Sequence, residues 1–475
     1  MGHTEKMHPF NLLVIDNCNK IKHYLYVCFH NRELEDNMLN NKYWIITANM
    51  GLGHLRAIYP FIDLALDKIL LLGEDYTGSK REKYLWKTLQ KSYEFLSRTQ
   101  QIPLIGPYLF SVLEKLQNIS PFYPYRDQSQ PSLQVKYLDS LIKKGLGKSM
   151  FEHVSTCNTA IITSFYAAAI SAEKNTALPV YCIICDSDIN RVWVSHNPTK
   201  SRIIYFAPCG HAMQRLKQYG VPQERIFLTG FPLPHELVGG EDISILKHDL
   251  SQRLKRLDVS GNFCYIHKNE IDYYLGDQNY SPQYRSPVTL TYAVGGAGAQ
   301  ADIAHHIIKS LSDKLSDGLI RLNLVAGVRQ KVKDYFEFVL AKHGLHGCPN
   351  INIIYSPDVY KYFVMFNNAL KDTDILWTKP SELSFYCALG LPIIAAPCIG
   401  PHEAYNLSWL KDVGAAVDQQ DPRYCSEWIG DMLNSGIFAQ RAWNGFLYAR
   451  KAGTYKILQV LQTGELKKET HTLYK

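Results

Sequence analysis

The chain has 475 residues, 46% of them hydrophobic and 20% charged, which excludes a disordered chain and exceeds what one ordinary core organises. A formal net charge of +7 is too small to argue for nucleic acid and is compatible with an anionic substrate or an anionic membrane surface. Eleven cysteines follow no regular framework, and the opening MGHTEKMHPF lacks an apolar signal core, so the expected setting is reducing and cytoplasmic.

Residues 1–40 contain one strand-like run, Asn11–Ile15, with no clear place in a sheet; Gly2 is not followed by the Ser or Thr that myristoylation needs, since position six is Lys6. From Lys42 the chain alternates short apolar runs with helical patterns. Lys42–Ala48, Ile69–Leu72, Thr159–Ser164, Val180–Cys185, Arg202–Phe206 and Arg225–Phe231 read as strands, and Ala207–Tyr219 reads as a helix between two of them. Such alternation predicts a parallel sheet with helices on its faces. Cys182 and Cys185 form a CxxC inside one of these strands, where packing is the better reading than a metal or redox pair. Residues 80–98 form a basic amphipathic pattern: Leu85, Trp86, Leu89, Tyr93 and Leu96 share one side, and Lys83, Lys87 and Lys91 form a stripe. With the apolar Ile102–Leu113, this is either a helix packed on its own domain or a peripheral membrane contact through 80–113. The interrupted run is too short to span a bilayer.

Proline and paired glycine in Pro232–Gly240 suit a hinge. We place a first domain at 1–237 and a second at 238–475, with a Tyr-, Asp- and Asn-rich insertion at about 241–287. The pattern then restarts. Val288–Val294 is a strand, and a helix follows on Ile303, Ile307, Leu311 and Leu315. Leu319–Ala326, Ile351–Tyr355, Thr373–Thr378 and Leu391–Ala396 are strands, a helix carries Val332, Phe336 and Leu340, and the chain is helical from about Pro422.

Four segments hold candidate chemistry. Gly51, Gly53 and His54 lie in a strand-to-helix turn, where glycine allows close backbone approach and the helix start offers N–H groups to an anion. Gly295, Gly296 and Gly298 occupy the same place in the second half. Asp186 follows a buried strand. Lys379, Ser381, Glu382, Ser384, His402, Glu403 and Asn406 form a late polar block in which the serines suit a helix cap, Glu382, His402, Glu403 and Asn406 suit sugar hydroxyls, and Lys379 adds positive charge. Each also has an ordinary reading as turn, cap or solvated charge.

The ordered set resembles the glycosyltransferase family of the lipid II-forming N-acetylglucosaminyltransferase, monogalactosyldiacylglycerol synthases and diacylglycerol glucosyltransferases. The shared features are MGLGH, Asp186 with Trp193, Gly220-Val221-Pro222, Thr229-Gly230-Phe231-Pro232, TKPSEL, GLP and IGPHEAYN, spread over roughly residues 43 to 417. The resemblance implies an α/β GT-B fold, two Rossmann-like domains facing a central cleft, with the terminal helix crossing back to the first. It implies an inverting, metal-independent transfer from a nucleotide sugar, a UDP-sugar, to a hydroxyl acceptor, often lipid-linked; no further cofactor is implied. His54 would be the catalytic or acceptor-contacting imidazole with Asp186 near it. Gly295, Gly296 and Gly298 would line the phosphates, Arg329 would match the family's Gly-Arg-Asn turn, and His402, Glu403 and Asn406 would contact the donor sugar. The sequence departs from the family where a ribose-gripping Glu is expected and Cys387 stands, and where the family Gln is His402. Two other readings stay open: a nucleotide-sugar epimerase, and a degenerate module that binds without turnover.

Overall fold

Short β-branched and aromatic runs bounded by turn residues cannot bury themselves as isolated helices; side by side in a sheet they can. In the computed structural model, which describes residues 42–76, 78–98, 119–276, 287–295, 298 and 300–474, they form two fully parallel sheets. The first contains β1 (Trp44–Thr47), β2 (Leu70–Leu71), β3 (Ile161–Thr163), β4 (Val180–Ile183), β5 (Ile204–Ala207) and β6 (Ile226–Leu228), in the order β2-β1-β3-β4-β5-β6. The second contains β7 (Val288–Ala293), β8 (Ile320–Gly327), β9 (Ile351–Tyr355), β10 (Ile375–Thr378), β11 (Ile393–Ala395) and β12 (Ala416–Asp418), in the order β12-β11-β10-β7-β8-β9. Renumbered within its own lobe, the second order is that of a dinucleotide-binding Rossmann sheet. The expected α/β class with two Rossmann-like halves is therefore what the chain adopts. The predicted strand Asn11–Ile15 and the apolar run Ile102–Leu113 lie outside the described residues.

Both sheets reverse direction of winding once. In the first lobe the reversal falls between β1 and β3, where Trp44 pairs with Ile161 and Ile46 with Thr163. In the second it falls between β7 and β10, where Ala293 pairs with Thr378. Helices leave opposite faces of the sheet at such a point, which opens a crevice beyond the carboxyl ends of the strands. This topology decides where a ligand has room.

The stretch expected as an insertion is built into the second lobe. Helix Ser244–Leu257 buries Leu246, Leu250, Leu254 and Leu257 along one stripe. Its Arg253, 1% exposed, donates to the carbonyls of Thr373 (2.7 Å), Leu389 (2.8 Å) and Gly390 (3.3 Å), and Arg256 pairs with Asp374 at 2.8 Å. At the other end, Thr454 donates to the Leu233 carbonyl (2.5 Å), and the Tyr455 hydroxyl lies 2.5 Å from His235 Nδ1, so helix Gly453–Thr463 leans on the segment that leaves the first sheet.

Helix Lys80–Arg98 has the predicted extent, but Leu85, Trp86 and Leu89 are buried in the first lobe's core. Trp86 lies edge-on to Phe165, at 6.2 Å between centroids. That part of the apolar face is thus unavailable to a bilayer, while Lys83, Lys87 and Lys91 remain exposed. Among the described residues no helix is long and apolar enough to cross a membrane.

Arg253 takes the place of water at four backbone carbonyls inside the lobe, those of Leu370, Thr373, Leu389 and Gly390. Arg253→Ala strands those carbonyls, and we expect a loss of about 3 kcal/mol, read as a clear fall in thermal midpoint; an unchanged midpoint would show that the helix is peripheral.

Candidate active site

Helix Leu52–Ile58 starts directly beyond β1, after Gly51, whose φ of 95° lies where side chains are rarely tolerated. That sharp turn sets His54 over the carboxyl end of β3. His54 Nδ1 is 2.7 Å from the Ser164 carbonyl oxygen, which can only accept, so Nδ1 carries the proton. The Ser164 hydroxyl donates back to the His54 carbonyl (2.7 Å), and Thr47 at the end of β1 completes the chain by donating to Ser164 Oγ (2.8 Å). Phe165 meets the imidazole edge-on at 5.1 Å, Trp193 lies at 6.1 Å, and Cys185 Sγ lies 3.7 Å from Nδ1. In the neutral ring the remaining nitrogen, Nε2, is an acceptor, and it carries no hydrogen bond among the described residues. Burial holds His54 below the usual histidine value, against the Ser164 bond and the charges of Asp186 and Glu382, which pull it upward. A neutral, tautomerically fixed imidazole therefore stands at the first lobe's winding reversal.

The second lobe's reversal brings together the loop after β7 and the loop after β10. A Cβ on Gly295 would lie 2.6 Å from Lys379 Cε, so a side chain there would displace the lysine. Gly298 donates to the Gly295 carbonyl (2.7 Å) and lies beside Arg329, which is exposed at the start of helix Gln330–Lys342. Gly296 lies outside the described residues. Lys379 Nζ pairs with Glu403 Oε1 at 2.5 Å, and Glu403 Oε2 accepts from Ile399 N at 2.6 Å. Ser381 precedes the 3-10 helix Glu382–Leu389 but makes no capping bond, a departure from its predicted role; Ser384 Oγ is buried without a partner among the described residues.

The two reversals meet. Glu382 Oε2 lies 3.1 Å from where a Cβ on Gly53 would stand, and Glu382 Oε1 accepts from Arg56 Nε at 3.2 Å. Arg56 belongs to the first lobe, yet its guanidinium is 2% exposed among Tyr362, Phe363, Phe366 and Tyr386 of the second, with Nη2 donating to the Tyr362 hydroxyl at 3.1 Å. Asn406, fully buried, makes a further bridge. Its Oδ1 accepts from Ser187 N (2.8 Å), and its Nδ2 donates to Asp186 Oδ1 (3.0 Å) and reaches the Pro380 carbonyl (3.4 Å).

These contacts correct part of the expected site. Glu403 and Asn406 are bonded to protein groups, so neither side chain is presented to a donor sugar as it stands. Asp186 bonds Asn406 and influences His54 through charge, without a direct hydrogen bond to the ring. Cys387 is buried, with its carbonyl carbon and oxygen against Gly445, and cannot grip a ribose; burial also pushes its thiol up. His402 is exposed, its ring over Gly400. Sequence reasoning missed Arg56, Ser164 and Asp188. Asp188 holds Arg215 through two 2.8 Å contacts and His211 at 2.9 Å, anchoring the loop that carries Asp186. No group of His, Cys, Asp or Glu among the described residues is arranged to hold a metal ion.

Residues 329–458 match the family model described as a domain of unknown function, DUF6938. A processive diacylglycerol β-glucosyltransferase from Bacillus cytotoxicus is 29% identical over 102 residues, 20% of this chain and 25% of that one. The chain thus spans a quarter of the curated relative it matches. Among solved structures, Acinetobacter baumannii MurG is 14% identical with a TM-score of 0.42, covering 89% of this chain and 99% of that one. A Neisseria meningitidis UDP-GlcNAc 2-epimerase bound to UDP-GlcNAc is 11% identical with a TM-score of 0.42, covering 89% and 99%. A putative UDP-N-acetylglucosamine 2-epimerase from Listeria monocytogenes is 11% identical at 0.46, covering 89% and 96%. The fold assignment stands on the strand orders: two Rossmann-like domains whose winding reversals face one another, the GT-B arrangement.

Asn406→Ala would leave the Ser187 N–H without its acceptor inside the lobe boundary. We expect a loss of about 2 kcal/mol and a larger radius of gyration in solution scattering; a variant with wild-type melting and dimensions would show that the bridge is incidental.

Proposed function

We propose that the chain is an inverting glycosyltransferase that moves a sugar from a nucleotide donor, a UDP-sugar, to a hydroxyl acceptor. The observation that carries this reading is the neutral His54, with Nδ1 locked on the Ser164 carbonyl and Nε2 left as acceptor, beside Glu382 of the second lobe's loop after β10. A hydroxyl is a weak nucleophile, and a base within hydrogen-bond reach lowers its barrier. The acceptor proton passes to Nε2 while its oxygen attacks the anomeric carbon from the side opposite the leaving group. The bond from that carbon to the diphosphate oxygen breaks, and the nucleoside diphosphate departs with the electron pair. Backbone N–H groups at the start of helix Gln330–Lys342, with Arg329 beside them, suit the charge that develops there. Lys379 contributes less, because Glu403 neutralises it.

A lipid-linked acceptor belongs to the same reading. It is supported by the exposed lysine stripe Lys83, Lys87 and Lys91, whose attraction to an anionic surface needs no insertion of the helix. The epimerase reading would need further acids facing the donor sugar, whereas Glu382 and Glu403 are paired with Arg56 and Lys379. One second reading has a specific observation in its favour. With Cys387 buried where a ribose-gripping carboxylate is expected, a module that binds a sugar nucleotide without turnover fits the same geometry.

Release of UDP from candidate UDP-sugars in the presence of lipid extracts separates these readings. His54→Ala should lower turnover about 10²- to 10⁴-fold while donor binding persists; donor binding with no turnover in the wild type would favour the silent module, and epimerised donor without acceptor would favour the epimerase. The pH profile has a definite sign. The base must be unprotonated and its folded value lies below that of an ordinary histidine, so the midpoint of the acid limb of kcat/KM should lie below the ordinary histidine value. An acid limb above that value would contradict the assignment.

A further inference from the structure

Helix Leu52–Ile58 presents two functional side chains on nearly opposite faces. His54 reaches back to Ser164 in its own lobe, and Arg56, two residues on, reaches into the other lobe. Leu55, Ala57 and Ile58 seat the helix in the first lobe's core, and these two polar anchors tie its free faces to Ser164 and to the second lobe. Glu382 sits between them. Its Oε1 bonds Arg56 Nε, its Oε2 lies against Gly53, and its charge reaches the imidazole. The aromatic wall of Tyr362, Phe363, Phe366 and Tyr386 excludes water from the guanidinium, so the pairing with Glu382 cannot readily be exchanged for hydration.

We propose that Arg56 is a positioning residue for His54: it fixes the helix that carries the imidazole against the loop after β10 and neutralises the Glu382 carboxylate that would otherwise face the ring. This rests on the glycosyltransferase reading for its catalytic consequence but not for its structural content. The charged and titratable groups around the imidazole are Asp186 from the loop after β4, Glu382 from the loop after β10, His402 from helix Pro401–Val413 and the Cys185 thiol. Arg56 is the cation that offsets one of the two carboxylates; Asp186 is held instead by the neutral Asn406 amide.

Arg56→Met keeps much of the bulk and removes the charge. Glu382, left unpaired, should then draw a proton onto His54, and the His54 titration midpoint should rise by about one pH unit. Arg56→Lys should move it little. Glu382→Gln should lower it, and Arg56→Met with Glu382→Gln should return it close to wild type. Titration of ¹³C-labelled histidine side chains, with the His54 signal assigned by His54→Gln, reads this without any turnover. With a turning-over donor, Arg56→Met should lower kcat at least tenfold while donor KM stays within about twofold, and the acid limb should shift upward with the imidazole. Circular dichroism and melting identify variants that fail to fold, for which the Arg56→Lys and Glu382→Gln midpoints still decide. A midpoint indifferent to all four substitutions would overturn the proposal. Midpoints that follow the pattern in a protein that turns over no donor would uphold it while removing the glycosyltransferase reading.

Discussion

A guanidinium from one lobe buried among the rings of the other is the constraint on which the rest of this architecture depends. Removing one partner of a buried ion pair costs about 3–5 kcal/mol, because a charge is left in a poorly polarisable setting. Arg56 and Glu382 therefore hold more than a surface salt bridge would, and they hold it between domains. Tyr59 adds to the same junction, with its hydroxyl donating to Glu236 at 3.2 Å while Asn367 donates to the same carboxylate at 2.8 Å. The Asn406 bridge fixes the opposite flank. Between these clasps the carboxyl ends of β1, β3, β7 and β10 face one another.

This explains why the site is electrostatically quiet. The carboxylates Glu382 and Glu403 each have a cation, and Asp186 has an amide. Among the described residues, a neutral imidazole nitrogen on one side and main-chain N–H groups at the start of helix Gln330–Lys342 on the other are left for a ligand. Such a pairing favours a neutral nucleophile that becomes acidic only as it reacts, and a leaving group that gains charge as it departs.

The strands were legible because both sheets are parallel and buried on both faces, so their residues form continuous apolar runs rather than alternating ones. The edge strand Ala416–Asp418 was not, since three residues ending in a charge give no such run. Helix Ser244–Leu257 was passed over although Leu246, Leu250, Leu254 and Leu257 repeat at helical spacing; the polar, tyrosine-rich stretch after it masked the stripe. At the site, Gly51, Gly53, His54 and Gly295 were legible as glycine turns between strand and helix. The partners were not. Nothing in the local pattern tells that Arg56 bonds a residue 326 positions away, or that Asn406 reaches Ser187 across 219. Those contacts belong to the packing of one lobe on the other, and only a buried arginine on a short helix near the glycine turn could have hinted at them.

The most direct measurement is a crystal structure of the chain with a UDP-sugar bound. The account predicts a diphosphate within hydrogen-bond distance of main-chain N–H groups at the start of helix Gln330–Lys342, with His54 Nε2 turned toward the anomeric carbon and Arg56 still on Glu382. A nucleotide seated away from the β7–β10 reversal, or an imidazole whose Nε2 is bonded to protein, would contradict it.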